Sequence, residues 1–285
     1  MKKRVAFGLG ILLLAGVLTS CSSAKTAEKG VIKLGCVNWD DSISITNLAA
    51  VVLEDKMGYR VEVTMADVAP IFTSIASGNT DAYLDTWLPT TQKDYIDKYG
   101  DKMIDLGVLN DGASIGLAVP SYVPVDSIDE LNAHKELFNG EIVGIDAGAG
   151  QMQITANVIK EYGLDFTLLT GSGPAMTASL QKAIEAEKNI IVTAWKPHWK
   201  FSRWDLKMLK DPKGEFGTEE QIHKMARLGF DKDMPEATEF LRHFKLTDQE
   251  LSSLMHAVEE DGGDAKEAAR KWAAEHKELV QSWLP

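Results

Sequence analysis

Three tryptophans in this chain share one local setting: an apolar run, then Trp, then residues that turn the chain. Leu34-Gly35-Cys36-Val37-Asn38 leads to Trp39 and is followed by Asp40-Asp41. Ala82-Tyr83-Leu84-Asp85-Thr86 leads to Trp87 and then Leu88-Pro89, and Ile190-Ile191-Val192-Thr193-Ala194 leads to Trp195 and then Lys196-Pro197. An indole face attracts a cation through its ring quadrupole, and several indoles together make a box suited to a quaternary ammonium group. In open α/β sheets, ligands gather at the carboxyl ends of strands, where these three residues would stand. Rim or core packing is the competing role, because Trp is usually largely buried. One Trp would not separate the two roles, whereas three in the same setting favour the box. Trp199, Trp272 and Trp283 are read as packing residues.

A second feature suits the opposite charge. Asp146-Ala147-Gly148-Ala149-Gly150 leads into a helical pattern from about Gln151. Free amides at a helix N-terminus bind anions; a plain strand-to-helix turn is the alternative. A phosphate cradle is the weaker reading, since no Gly-Lys-Ser/Thr follows. Cys36 and His198 are the one pair that could be imagined as nucleophile and base. Cys36 sits inside an apolar run, however, and a buried cysteine behaves as a small hydrophobe. The chain is therefore not expected to be an enzyme. No Cys/His cluster has metal-ligand spacing, and neither metal nor cofactor is expected.

The elements that must position these residues alternate between β and α patterns from Val31 onward, which indicates an α/β chain with mainly parallel sheet. Strand patterns cover 31–37, 60–65 and 81–84, with helical patterns over 42–57, from Pro70 to Gly78 and over 91–99. The apolar stretch 113–119 reads as a crossover into a second unit. That unit opens with a capping box at Ser127-Ile128-Asp129-Glu130. It continues through strands at 141–145, 166–170 and 189–194, with helices at 151–162 and 174–187 between them. A return strand is expected at 206–209. From Thr218 onward the pattern reads as almost wholly helical, with caps at Thr247 and Asp264 and no strand. That tail is expected to cover the first unit. The expected division is 31–112 with 205–285 as one lobe and 113–204 as the other.

The N-terminus reads as an export signal. Lys2, Lys3 and Arg4 precede an apolar stretch, Val5 to Val17, too short to span a bilayer comfortably. Leu18-Thr19-Ser20-Cys21 resembles the lipobox of bacterial lipoproteins, which implies cleavage after residue 20 and lipid on Cys21. Residues 21–30 read as a polar tether. The protein is thus expected outside the cytoplasm, anchored to a membrane by lipid without spanning it. Removing residues 1–20 moves the formal charge from −12 to −15. A balance that acidic argues against nucleic acid as a partner. With Cys21 committed to lipid, only Cys36 remains, so no internal disulfide is available.

Four segments together resemble the glycine betaine-binding proteins of ABC importers: Cys36-Val37-Asn38-Trp39-Asp40, Asp85-Thr86-Trp87-Leu88-Pro89, Gly144-Ile145-Asp146-Ala147-Gly148-Ala149-Gly150 and Trp195-Lys196-Pro197-His198-Trp199. The resemblance runs from about Val31 to Leu284. It implies a type II periplasmic-binding-protein-like fold, two α/β lobes closing on a ligand cleft, acting as a monomer with an ABC permease and its ATPase. Trp39, Trp87 and Trp195 match the positions that cage the trimethylammonium head. Gly150 and Gln151 match two backbone amides that hold the carboxylate. Where the family usually has Asn-Thr-His after Trp-Leu-Pro, this chain has Thr90-Thr91-Gln92. A Gln92 amide can donate one neutral hydrogen bond but cannot become a cation. Choline, carnitine, trimethylamine N-oxide or dimethylsulfoniopropionate therefore stay open as ligands beside glycine betaine, and a sensing role stays open beside transport. Asp40 and Asp41 could favour a cation without a carboxylate; turn capping is the competing role.

Overall fold

The β patterns become strands of one curled sheet, with helices on its faces. The computed structural model describes residues 29–285; the export signal and Cys21 lie outside the described residues. In chain order the first half runs β1 (Val31–Cys36), α1 (Asp40–Asp55), β2 (Arg60–Met65), α2 (Val68–Ala76), β3 (Ala82–Leu88), α3 (Lys93–Tyr99) and the long β4 (Met103–Pro120). A 3-10 segment, Ile128–Phe138, precedes β5 (Glu141–Val143), α4 (Gly150–Glu161), β6 (Thr167–Leu169), α5 (Gly173–Glu185) and β7 (Val192–Lys196). The chain closes with α6 (Lys200–Arg203), β8 (Leu206–Met208), β9 (Glu220–Arg227), α7 (Phe230–Asp233), α8 (Pro235–His243), α9 (Asp248–Asp261), α10 (Ala265–Glu275) and α11 (Lys277–Trp283).

The strand order is β2-β1-β3-β9-β4-β7-β5-β6, with β8 also on β4. β4 links the two halves of this sheet. Its residues Met103–Ala113 pair antiparallel with β9, and Ser114–Ala118 pair antiparallel with β7. β8 pairs with Ala118–Pro120, so it lies with the β7 half, just beyond the division expected at 205. The parallel pairs β1–β2, β1–β3 and β5–β6 are the ones the alternating pattern implies. Apolar residues from both halves form one continuous core.

Helix α1 is buried on nearly every side, from Ile45 and Leu48 to Val52 and Leu53. It lies beneath α9 and α10, which pack on it, so a helix polar on one face would not fit there. Ion pairs fasten α10 to its C-terminal end: Lys266 to Glu54 at 2.7 Å and Arg270 to Asp55 at 2.7 Å. Thr247 and Glu250 form a reciprocal capping box, and the Asp264 carboxylate accepts from the amides of Lys266 and Glu267. Both caps match the sequence. The capping box at Ser127 does not form. Its hydroxyl donates to Asp129, and Glu130 accepts from the amide of Asp126 instead of that of Ser127.

The larger correction is β9. The sequence reading leaves no strand after Thr218, yet Glu220–Arg227 lies between β3 and β4 at the middle of the first half-sheet. Glu220, Ile222, Lys224 and Ala226 alternate inward and are all buried. Two charged side chains among the four hide the period-2 pattern. Each is accommodated by hydrogen bonds. Lys224 Nζ donates to the carbonyls of Phe244 at 2.7 Å and Val108 at 3.1 Å, tying the end of α8 to β4. Glu220 Oε2 accepts from the amides of Thr90 and Thr91, both at 2.8 Å, and Oε1 accepts from the Thr91 hydroxyl.

Because Lys224→Met leaves buried carbonyls without a donor, it should destabilise the fold by about 2–4 kcal/mol. Urea unfolding followed by far-UV circular dichroism measures this, and a loss below about 0.5 kcal/mol would show those carbonyls finding other donors.

Candidate functional site

Each tryptophan reaches the site on a different part of the sheet. β1 ends at Cys36, and Trp39 is the extended N-cap residue of α1. Its indole Nε1 donates across the molecule to Asp146 at 2.8 Å. Trp87 lies inside β3, which runs on to Leu88 instead of ending at Leu84 as the sequence suggests. Its Nε1 donates to Asp85 at 2.8 Å, and its backbone amide donates to the side-chain oxygen of Gln92. Trp195 lies in β7, in register with Ile115 of β4.

The three indoles converge on one cavity, whose lining also includes Gln92, Gly150 and Gln151. All six ligand-site residues expected from the sequence are thus brought to one place. Asp41, Thr91, Ile115, Ile145 and Ala149 complete the lining. Ile115 and Ile145 carry no chemical signal that a sequence could betray. Asp41 does, as an acid two residues after Trp39, but capping competes for it.

The end of the cavity opposite the rings is built by α4. Gly150 and Gln151 are its first two residues, so their amides have no intrahelical acceptor. The Gln151 side chain is more than a bystander. Its Nε2 donates to Ala194 O at 2.7 Å and Gly116 O at 3.1 Å, pinning the helix start to β7 and β4. Gln92 also has a definite orientation. Its oxygen accepts the Trp87 amide, so Nε2 is left as a buried donor without a partner. Among the described residues, no Lys, Arg or His lines the cavity.

Buried acids lie beneath the rings. Burial pushes Asp41 up to about 6, and it pushes Asp85 well above the usual carboxylate range, with the Asp41 charge adding to the effect. Two carboxyls this close and dry hold one negative charge between them near neutral pH. Asp85 accepts from the Trp87 indole and, at 3.4 Å, from the Tyr83 hydroxyl. Asp41 Oδ1 has no partner. The site is therefore negative beneath its aromatic faces, which favours a cation. Cys36 is different in kind: burial pushes its thiol up to about 11, away from the thiolate that nucleophilic chemistry needs.

Several contacts join the two halves of the sheet across this cavity. Beside Trp39–Asp146, the Tyr95 hydroxyl donates to Gly148 O at 2.9 Å. His198 Nε2 lies 3.0 Å from Asp40, without the alignment of a hydrogen bond. Burial pushes His198 down to about 4, so this contact is made by a neutral ring. The closest approach is backbone on backbone: a Cβ on Gly150 would stand 1.6 Å from Thr91 O. Only glycine permits that meeting of the α4 start with the turn after β3. The halves are closed on one another.

Residues 30–275 match the family described as the substrate binding domain of ABC-type glycine betaine transport systems. The glycine betaine/carnitine transport binding protein GbuC of Listeria monocytogenes serotype 1/2a (strain 10403S) is 44% identical over 163 residues, 56% of this chain. The matched stretch spans about half of that relative, 53% of its length. Among solved structures, the glycine betaine/L-proline-binding protein of a Borrelia burgdorferi ABC transporter is similar, with a TM-score of 0.85 at 36% identity, covering 90% of this chain and 97% of that one. A lactococcal OpuAC, in its closed conformation with glycine betaine, gives 0.84 at 35% identity, covering 90% and 100%.

The Gly150–Thr91 contact yields a test of closure. Gly150→Ala should hold the halves apart and weaken any ligand gripped from both sides by at least about tenfold, while the ordinary helical backbone at this position keeps the fold intact. Small-angle scattering with and without ligand, beside thermal unfolding, checks it. Closure like that of the unaltered chain would contradict the steric argument.

Proposed function

The chain belongs to the family of substrate-binding domains of ABC-type glycine betaine transport systems, and we propose that it captures glycine betaine or a related quaternary ammonium compound in the Trp39–Trp87–Trp195 cavity. One observation carries this reading: three indoles, from the N-cap of α1 and from strands β3 and β7, line a single cavity between the two halves of the sheet. A trimethylammonium head has no N–H to donate, so ring faces and methyl burial must select it. Each ring contributes roughly 0.5–2 kcal/mol, depending on desolvation. Burial of the methyl groups adds hydrophobic transfer.

A betaine carboxylate would meet the amides of Gly150 and Gln151 together with Gln92 Nε2, all of them neutral donors. Ligand thus bridges the lobes, drawing on Trp39, Trp87 and Gln92 from one and on Trp195, Gly150 and Gln151 from the other. Closure around it is the change that a permease and its ATPase would recognise. A second reading, choline in the same cavity, is favoured by Asp41, whose Oδ1 lines up no partner and could accept a hydroxyl. We place the protein outside the cytoplasm, held to a membrane through lipid on Cys21, on the strength of the Leu18-Thr19-Ser20-Cys21 segment. Among the described residues no helix is long and apolar enough to cross a membrane.

Calorimetric titration with glycine betaine, choline, carnitine and trimethylamine N-oxide tests the cage. At least one should bind, and Trp195→Ala should weaken it by about tenfold or more, equivalent to at least about 1.4 kcal/mol. No heat with any of the four would end the quaternary ammonium reading. The Asp41 carboxyl adds an acid-side signature. A bound cation lowers its affinity for protons, so binding releases a proton, and the contribution of Asp41 to affinity should be lost as pH drops below about 6 and be complete above it. Asp41→Asn should flatten that limb and cost choline more than glycine betaine; an equal loss for both ligands would remove Asp41 from ligand selection.

A further inference from the structure

Lys200 opens α6 and lies beside the cavity without lining it. Its side chain is fully buried, and Nζ has no hydrogen-bond partner. Nζ stands 3.9 Å from the centroid of the Trp195 ring, the distance of a direct cation–π contact. Trp195 borders the cavity and Lys200 does not, so the ammonium lies against a cavity-bordering ring without itself reaching the cavity. His198 meets the same indole edge-on at 4.8 Å. The charged or titratable groups acting on Lys200 are Asp40 and Asp41 of α1, across the cleft, and His198 on its own segment. Arg203, at the end of α6, is directed at Glu259.

A cation on one face of an indole draws π density toward itself. It also repels a second cation brought to the opposite face, and in a dry setting that repulsion is weakly screened. We propose that Lys200, buried against the Trp195 ring, sets the affinity of the cage for cations by opposing their charge. This rests on the cavity being a quaternary ammonium cage, and it adds an affinity-setting residue that touches no ligand. Burial pushes the Lys200 ammonium down to about 7, against the pull of Asp40 and Asp41. A caged cation pushes it further in the same direction, so binding expels the Lys200 proton. Affinity is therefore lowest where Lys200 is charged in both the free and the bound protein. It climbs with pH across neutrality and levels off once the lysine is neutral in both.

The test titrates the intact protein, Lys200→Met and Lys200→Arg with tetramethylammonium and with glycine betaine, from about pH 6 to about pH 9. Lys200→Met should bind both probes roughly three- to tenfold more tightly near pH 6.5, without a rise at higher pH. Lys200→Arg keeps a permanent charge, so it should bind both weakly with no climb across neutrality. The unaltered protein should pass from Arg-like to Met-like affinity. Near pH 7.5 it should also release a proton, seen as a binding heat that depends on the buffer, and neither variant should do so. A Met variant that keeps the climb would overturn the proposal. So would one that loses glycine betaine but not tetramethylammonium, since Lys200 would then serve the carboxylate. Binding of neither probe by the unaltered protein would instead sink the cage itself. If the Arg variant does not fold, the Met profile decides alone.

Discussion

A ring face attracts a cation only along its normal, so an aromatic cage is as good as the fixation of its rings. Each indole here is fixed differently. Trp87 is locked from below by Asp85, which accepts its N–H, and from its backbone by Gln92. Trp195 sits in a paired strand with Lys200 against its ring and His198 meeting it edge-on. Trp39 is anchored from the other half of the molecule, since its N–H donates to Asp146. Its orientation is therefore complete only when the halves meet. Closing and cage assembly would then be one event, as a ligand that biases closure requires.

The same coupling reaches the opposite end of the cavity through β9. Glu220 is buried in the sheet and spends its carboxylate on the amides of Thr90 and Thr91. That fixes the turn whose carbonyl meets Gly150 and whose next residue is Gln92. On the facing side, the Gln151 side chain pins the α4 start to β4 and β7. Both surfaces that would hold a carboxylate are thus braced by side chains rooted in central strands. A buried acid and a buried amide are costly unless fully hydrogen-bonded. Here their bonds go to the loops that must not move.

What the sequence displayed and what it concealed divide along these lines. The three Trp settings, the glycine-rich turn and the capping residues Thr247 and Asp264 were legible, because each depends on local chemistry. The parallel strands were legible as short apolar runs. β9 was not, because Glu220 and Lys224 occupy inward positions and break the alternation, and most of their partners, Thr90, Thr91 and Val108, lie more than a hundred residues away. The length of β4 was hidden for a related reason. It changes partners at Ala113–Ser114, and its apolar pattern is continuous only over the second part. The box at Ser127 had the right residues in a segment that winds as a 3-10 helix, where i to i+3 spacing no longer delivers Glu130 to the cap. Lys200 carried no signal at all, since its interactions with Trp195 and Asp41 exist only in the folded chain.

The charges around the cage also bear on which cations it can favour. A primary ammonium needs about three acceptors to replace its water, and the lining supplies one unpartnered carboxylate oxygen, Asp41 Oδ1. A metal ion asks for more oxygens still. Both would leave water without adequate replacement, a loss that ring faces do not make good. A methylated ammonium gives up little hydration and gains apolar contact from the indoles, Ile115 and Ile145. The charge that Asp41 and Asp85 hold between them attracts any cation, so charge alone does not choose among cations. On the proposed function, selectivity would come from the match between a poorly hydrated cation and a site that has faces to offer and few oxygens.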